Sequence, residues 1–402
     1  MITTASTIQP FMPLNSIKLA TAKKIPTDSE AVPTEKTPLA TTEALPKTSV
    51  SNELLLASNN IQVTKLKTFS TAAGYRSWGL DIKKGKKGKD ELWLKKKGQK
   101  PSLVKTGSHE ELVAIKSLFK PKGVNSYTTK QQANGDCAIL APMQEMMLTG
   151  NVKNLIQAVS YNKHTKGFNV ALYDDNGGRV TYPISKAQIM QYAKETKTVV
   201  GSDGKSQEGY TIPTSSHRNL TVAINLAMRQ HSNDVMPEHK DKNPLSSENI
   251  NGNWPQFLPN SLSPTTRKLA TFYSKTSKSG LEKTSVQNFS APTWNVSSDN
   301  KPLPLNLNEL AKLRKAHPNQ TITVFIASNY QEIPQALNNQ GIVGTHAYTL
   351  LAVNEKKKTV TVINPWDSSK AIVLDAKSLF FNTVTVAKNK NNDTPTDSDM
   401  IA

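Results

Sequence analysis

Cys137 is the only cysteine in a chain of 402 residues. It follows Gly135-Asp136 and opens an apolar stretch in which Ile139, Leu140, Met143, Met146 and Met147 recur at helical spacing. A thiol in the first turn of a helix meets the positive end of the helix dipole, which favours the nucleophilic thiolate. His346 enters a strand within Gly344-Thr345-His346-Ala347-Tyr348-Thr349, and Asn364 lies in Ile363-Asn364-Pro365-Trp366. If the two runs form a hairpin centred on Glu355, positions summing to 710 face each other, and His346 and Asn364 are such a pair. An asparagine oxygen placed there accepts a hydrogen bond from the imidazole, fixes its tautomer and aims the other nitrogen outward. Alone, a cysteine reads as a small buried hydrophobe and a strand histidine as a structural group. Together they supply a nucleophile, a base and its orienter for attack on a carbonyl carbon. The Cys137 amide and a side-chain amide from Gln131 or Gln132 are the expected oxyanion donors.

Cys, His and Asn in that chain order are the arrangement of papain-like thiol hydrolases. The local motifs sharpen the likeness. Gln131-Gln132-Ala133-Asn134-Gly135-Asp136-Cys137 resembles the calpain pattern of a Gln six positions before the Cys of Gly-Asp-Cys. The segments around His346 and Asn364 resemble the Gly-His-Ala-Tyr and Asn-Pro-Trp segments of the same family. The resemblance covers about residues 127–386. It implies a calpain-like cysteine endopeptidase that works through a thioester acyl-enzyme. Cys137 would be the nucleophile, His346 the base, Asn364 its orienter and Gln131 the oxyanion donor, with Trp366 shielding the His–Asn bond. It also implies an α+β, papain-like fold of two subdomains, one helical with Cys137 and one β-rich with His346 and Asn364. An extended protein substrate would bind between them. Three positions depart from the family: Ala138 replaces the aromatic after the Cys, Pro142 interrupts the catalytic helix, and Thr128 stands where an acidic calcium ligand is usual. No cofactor is therefore expected and calcium activation is not, although Asp174 and Asp175 remain candidate ion ligands.

The elements that must hold these residues are legible in outline. Leu155, Ile156 and Val159 continue a helical pattern, and Phe168–Tyr182 reads as a hairpin turning at 174–178. Leu220–Met228 and Leu307–Ala316 read as helices. Thr321–Ile326, His346–Ala352, Thr359–Ile363 and Thr383–Ala387 read as strands, and Lys240–Asp299 as long polar loops. Helices first and strands later argue for segregated α+β halves.

Composition frames this core. Residues 1–60 hold six Pro, ten Thr and six Ser, too polar to offset the entropy of ordering, and read as a disordered arm. Residues 61–126 form a lysine-rich module with Trp78 and Trp93 interleaved. The formal net charge is +19, and residues 61–130 alone carry 17 Lys and Arg against five acids. Nucleic acid or another anionic surface is one expected partner of that module; solvated lysines around turns at Gly85, Gly88 and Gly98 are the alternative. The helical subdomain is expected at 127–210, the β-rich one at 211–390 and a polar tail at 391–402. No apolar run approaches the ~18 residues of a membrane span, and one cysteine excludes an internal disulfide. Without a signal-peptide pattern the chain is expected in the cytoplasm, or delivered by a dedicated secretion system that uses the arm. His231, Asp234, Glu238 and His239 lack metal-site spacing, so no metal is expected there. Two other functions fit the same residues: deamidation or acyl transfer by the same triad, and non-enzymatic binding through the lysine-rich module.

Overall fold

Short runs bounded by glycine mark residues 78–107, and they fold as a small antiparallel sheet. The computed structural model describes residues 62–65, 78–119 (less 86–87 and 97) and 127–262 (less 175–176, 201–205, 237–238, 240–241 and 252–256). Beyond these it describes 269–273, 275–277, 280–282, 284–289, 296–303, 311, 321–326, 341–343, 346–375 and 383–387. The expected arm, the polar tail and all but one residue of the expected Leu307–Ala316 helix lie outside the described residues.

In chain order, β1 (Gln62–Lys65) precedes a meander of β2 (Trp78–Lys84), β3 (Asp90–Lys96) and β4 (Ser102–Gly107). Helix α1 (His109–Phe119) covers that meander, and β5 (Thr129–Lys130) leads to α2 (Cys137–Thr149) and α3 (Lys153–Ala158). A second meander follows: β6 (Val159–Asn162), β7 (Gly167–Tyr173) and β8 (Arg179–Ile184). Helix α4 (Lys186–Tyr192) starts on a capping box in which the Ser185 hydroxyl and the Gln188 side chain satisfy each other's backbone N–H. A two-stranded ribbon of β9 (Thr196–Val200) and β10 (Ser206–Tyr210) and the short β11 (Thr214–Ser215), paired with β5, precede α5 (Arg218–Val235) and α6 (Phe257–Ser261).

The rest of the described chain is β. The strands are β12 (Leu269–Tyr273), β13 (Lys275–Ser277), β14 (Gly280–Glu282), β15 (Thr284–Phe289), β16 (Val296–Leu303), β17 (Thr321–Ile326), β18 (His346–Asn354), β19 (Thr359–Ile363), β20 (Lys370–Asp375) and β21 (Thr383–Ala387). Nine of the strands form one antiparallel sheet in the order β1-β20-β19-β18-β17-β21-β12-β15-β16. Strands β12 to β16 correct the expectation of loops over Lys240–Asp299: Ser and Asn content masked the alternation in Leu269-Ala270-Thr271-Phe272-Tyr273 and in Thr284–Phe289. Strands β17, β19 and β21 fall at their expected bounds.

One apolar core runs from Trp78, Leu92 and Leu112 through Met143, Leu155 and Leu172 to Leu226 and Leu258. It therefore crosses both 126/127 and 210/211. The lysine-rich meander, the helices around Cys137 and α5 share a single buried interior. Helix α2 is buried on every side from Cys137 to Leu148, as a central core helix must be. Its back rests on the nine-stranded sheet, with Leu148 against Leu351, Ile363 and Ala371. The molecule is thus mixed α+β, with several small sheets, one large one and, among the described residues, no helix long and apolar enough to cross a membrane.

Candidate active site

Helix α2 begins at Cys137 itself, so the thiol occupies the first helical position. Cys137 is buried against Ala141, one turn on, and Ala347 of β18. The backbone amides of Ala347, Ala138 and Cys137 itself lie toward the thiol sulfur, and each favours thiolate. Burial opposes them and wins, with the charge of Asp136 adding to it, and pushes the thiol up to about 12. Burial at this position thus works against the ready thiolate expected at a helix terminus.

His346 opens β18 and is fully enclosed. Its Nε2 lies 2.8 Å from Asn364 Oδ1. The asparagine is fixed from three directions: Nδ2 donates to the Gly341 carbonyl at 2.6 Å, while Oδ1 accepts the Trp366 amide at 2.8 Å and the imidazole. That pattern sets the amide's orientation, so Oδ1 meets a protonated Nε2 and the neutral ring keeps its lone pair on Nδ1. The Trp366 ring leans over the imidazole with centroids 5.1 Å apart, and Tyr348 meets it edge-on at 5.0 Å. Burial holds the imidazole down at about 4, despite the bond from Asn364.

The pairing of His346 with Asn364 has a different origin from the one expected. The β18–β19 turn is Glu355–Lys358, with Lys358 at φ +52°, and a bulge falls between Leu350 and Ala352. Facing positions therefore sum to 712 on the site side of the bulge, as in Thr349 with Ile363, and not to 710. His346 pairs in the sheet with Ile326 of β17. Asn364 sits one step past the end of β19 and reaches its partner along a diagonal, a separation that long side chains bridge.

Gln131 is buried on the segment between β5 and α2. Its side-chain nitrogen donates to the Asn134 carbonyl at 2.6 Å, which uses one of its two N–H groups. The segment is tied to the Asn364 side by the Gln131 amide on the Pro365 carbonyl at 3.1 Å and by the Thr129 hydroxyl on the same oxygen at 3.1 Å. Gln132 instead accepts the Tyr210 amide.

Beneath the thiol lies a polar network that spacing did not reveal. Asp136 is wholly buried; its Oδ2 accepts from Asn225 at 2.8 Å and its Oδ1 has no hydrogen-bond partner. Asn225 in turn accepts from Arg229, and Arg229 reaches Glu195 at 3.0 Å and the Leu245 carbonyl at 2.9 Å. Burial pushes the Asp136 carboxyl up to about 7, against the pull of Arg229. Asn225 and Arg229, one turn apart and buried beside the apolar run of Val222, Ala223, Ile224, Leu226, Ala227 and Met228, were the available signal.

The remaining candidates have structural occupations. Tyr182 accepts from His231 Nδ1 at 3.1 Å and donates to Asp234 at 2.8 Å, and His239 meets Ser232 at 3.0 Å. Glu238 and Asp175 lie outside the described residues, and among the described residues no group of three or more acid, histidine or cysteine side chains is arranged to hold a metal. The Asp174 carboxylate accepts the Gly178 amide across its turn. In the basic meander, Lys84 pairs with Asp90, Lys95 with Asp81 and Lys96 with Asn151, Lys105 reaches the Val159 carbonyl, and Lys83 sits 5.0 Å above the Trp93 ring. No protein-family model matches the chain, and no curated protein matches it significantly.

Proposed function

We propose that this protein is a papain-like cysteine endopeptidase with a calpain-like catalytic core. The observation that carries the reading is the His346–Asn364 pair, locked by Gly341 and Trp366, on a strand whose next residue packs on the Cys137 thiol. The protein groups divide the chemistry as follows. Neutral His346 takes the thiol proton as Cys137 sulfur attacks the scissile carbonyl carbon. The oxyanion is met by the Cys137 N–H, which has no partner within the helix, and by the second N–H of Gln131. The intermediate collapses to a thioester as the imidazolium protonates the leaving amine. Water, deprotonated by His346, then hydrolyses the thioester and restores the thiol. Because thiol and imidazole are both neutral in the closed site, the proton moves during attack and no ion pair stands ready beforehand. Substrate is an extended polypeptide lying between the helical part and the large sheet, in the two-subdomain manner of the papain fold.

Mass spectrometry of unfolded protein substrates tests this. New termini that vanish with Cys137→Ala are expected. A shift of +1 Da without cleavage would assign the same triad to deamidation, a new adduct to acyl transfer, and products unchanged by Cys137→Ala would remove the thiol from the chemistry altogether.

A further inference from the structure

Strand β18 presents Ala347, Thr349 and Leu351 on one face by simple alternation. Helix α2 presents Cys137, Ala141, Gln144 and Leu148 along one stripe. The two patterns meet in order. Ala347 packs on Cys137 and Ala141, and Leu351 packs on Leu148. Between these apolar contacts stands a polar one: the fully buried Thr349 hydroxyl donates to the Ala141 carbonyl at 2.7 Å, with Gln144 Oε1 at 3.3 Å.

We propose that Thr349 is a positioning residue, whose hydroxyl fixes the helix carrying Cys137 to the strand carrying His346 and thereby sets thiol against imidazole. Ala141 is one turn from Cys137, and Thr349 is three residues from His346. Apart from the approach of the Ala347 amide to the thiol itself, no side chain nearer to both reacting groups makes a hydrogen bond across this interface among the described residues. The cross-strand neighbour Thr323 does not share the work: among the described residues its buried hydroxyl has no hydrogen-bond partner, and the Thr349 proton goes to the helix and not to the adjacent strand. A hydroxyl bond is directional where the flanking Ala–Ala and Leu–Leu contacts are not. Without it the strand is free to slide along the helix by fractions of an ångström, the scale on which proton transfer fails.

This inference rests on the thiol-hydrolase reading, and its test separates the two. In the full chain, Thr349→Val removes the hydroxyl at nearly constant volume, Thr349→Ala removes it without risk of overpacking, and Thr349→Ser keeps it. Leu351→Ala weakens the same interface without touching the hydrogen bond. The readouts are alkylation of the single thiol by iodoacetamide across pH 5–9, kcat and KM for peptide cleavage, and urea unfolding. Expected for Thr349→Val and Thr349→Ala are a kcat at least tenfold lower, an unchanged KM and an altered pH profile of alkylation. Thr349→Ser is expected within about threefold of wild type, and Leu351→Ala is expected to unfold earlier but keep the wild-type pH profile. Equal kcat and pH profile in wild type and Thr349→Val overturn the proposal and leave the hydrolase reading standing. An altered alkylation profile in a protein that cleaves nothing supports the proposal and overturns that reading. If neither hydroxyl-free variant folds, the bond is structural and the proposal falls.

Discussion

At the scale of single residues, the site is defined by which groups are left neutral. His346 and Cys137 are held in their uncharged forms by burial, and Asn364 is oriented by contacts that owe nothing to substrate. Asn364→Ala removes the partner of Nε2 and frees the tautomer choice, and is expected to lower kcat/KM on the order of 100-fold. Steady-state kinetics check this, with a variant within twofold of wild type excluding the orienting role. Asp136 and the buried histidines act on stability in opposite senses. His346 and His231 titrate at about 4 in the folded chain, below the ordinary 6.5. Their stabilisation is therefore complete above pH 6.5 and is lost as pH falls toward 4, at up to about 3 kcal/mol each. Asp136, raised from 3.8 to about 7, gains in the other direction: its stabilisation is complete below 3.8 and lost as pH rises through 7, at up to about 4 kcal/mol. The histidines outweigh it, so net stability falls on acidification. Asp136→Asn removes the opposing gain. It is expected to be more stable than wild type at pH 8, to match it only below about pH 3.8 and to show the steeper acid dependence in urea unfolding. Parallel pH curves for the two proteins would refute that assignment. The same substitution removes a negative charge beside the sulfur, so alkylation of Cys137 at pH 8 is expected to be faster.

At the scale of elements, the sequence was readable where one periodicity held and failed where local geometry changed it. Thr321–Ile326, Thr359–Ile363 and Thr383–Ala387 are continuous β-branched runs, and α2 announced itself through Ile139, Leu140, Met143 and Met146. The His346–Asn364 pair was legible from residue type and order. Its register was not: a bulge at one hydrogen-bond pair and a four-residue turn shift the facing positions, and neither leaves a compositional mark in Glu355-Lys356-Lys357-Lys358. Charge state was equally hidden, because it depends on burial by elements far apart in the chain. The C-terminus of α2 shows the same kind of long-range demand. Gly150 caps it at φ +71°, and a Cβ there would sit 2.9 Å from the Trp78 ring. Gly150→Ala therefore meets both a left-handed backbone and an indole that has little room to move. It is expected to cost more than about 1 kcal/mol in equilibrium unfolding, whereas Gly79→Ala, with open space at its Cβ, is expected to stay close to wild type.

At the scale of the whole molecule, the lysine-rich region shares its buried core with the helices around Cys137 and is not an appendage to them. In the sequence its lysines fitted either solvated turns or an anionic partner, and Trp78 gives the region a structural part besides. The indole N–H donates to the Met147 carbonyl at 2.5 Å, one of the four carbonyls that end α2 without a helical partner. The ring fills the space over Gly150, and Leu92, Leu94, Val104 and Leu112 continue the core from there. The helix that presents Cys137 at its start is thus closed at its end by β2. Two lesser ties, Lys96 on Asn151 and Lys105 on the Val159 carbonyl, join the same surfaces and add little by comparison, since partly exposed lysine contacts contribute about 1 kcal/mol or less. Trp78→Ala is expected to destabilise the protein by about 3–5 kcal/mol, and Trp78→Phe, which keeps most of the ring and loses the N–H, by about 1 kcal/mol. A chain beginning at Tyr127 loses the whole meander and α1, and is expected to be insoluble or molten, with exposed apolar surface and no alkylation profile distinct from a free thiol. Calorimetry and near-ultraviolet circular dichroism on Trp78→Ala, beside expression of residues 127–402, decide the matter. A folded, active 127–402 fragment would show that the meander is a separable module. Loss of folding would show that the C-terminal end of α2 needs the N-terminal meander, through Trp78, as well as the large sheet, through Leu351 on Leu148.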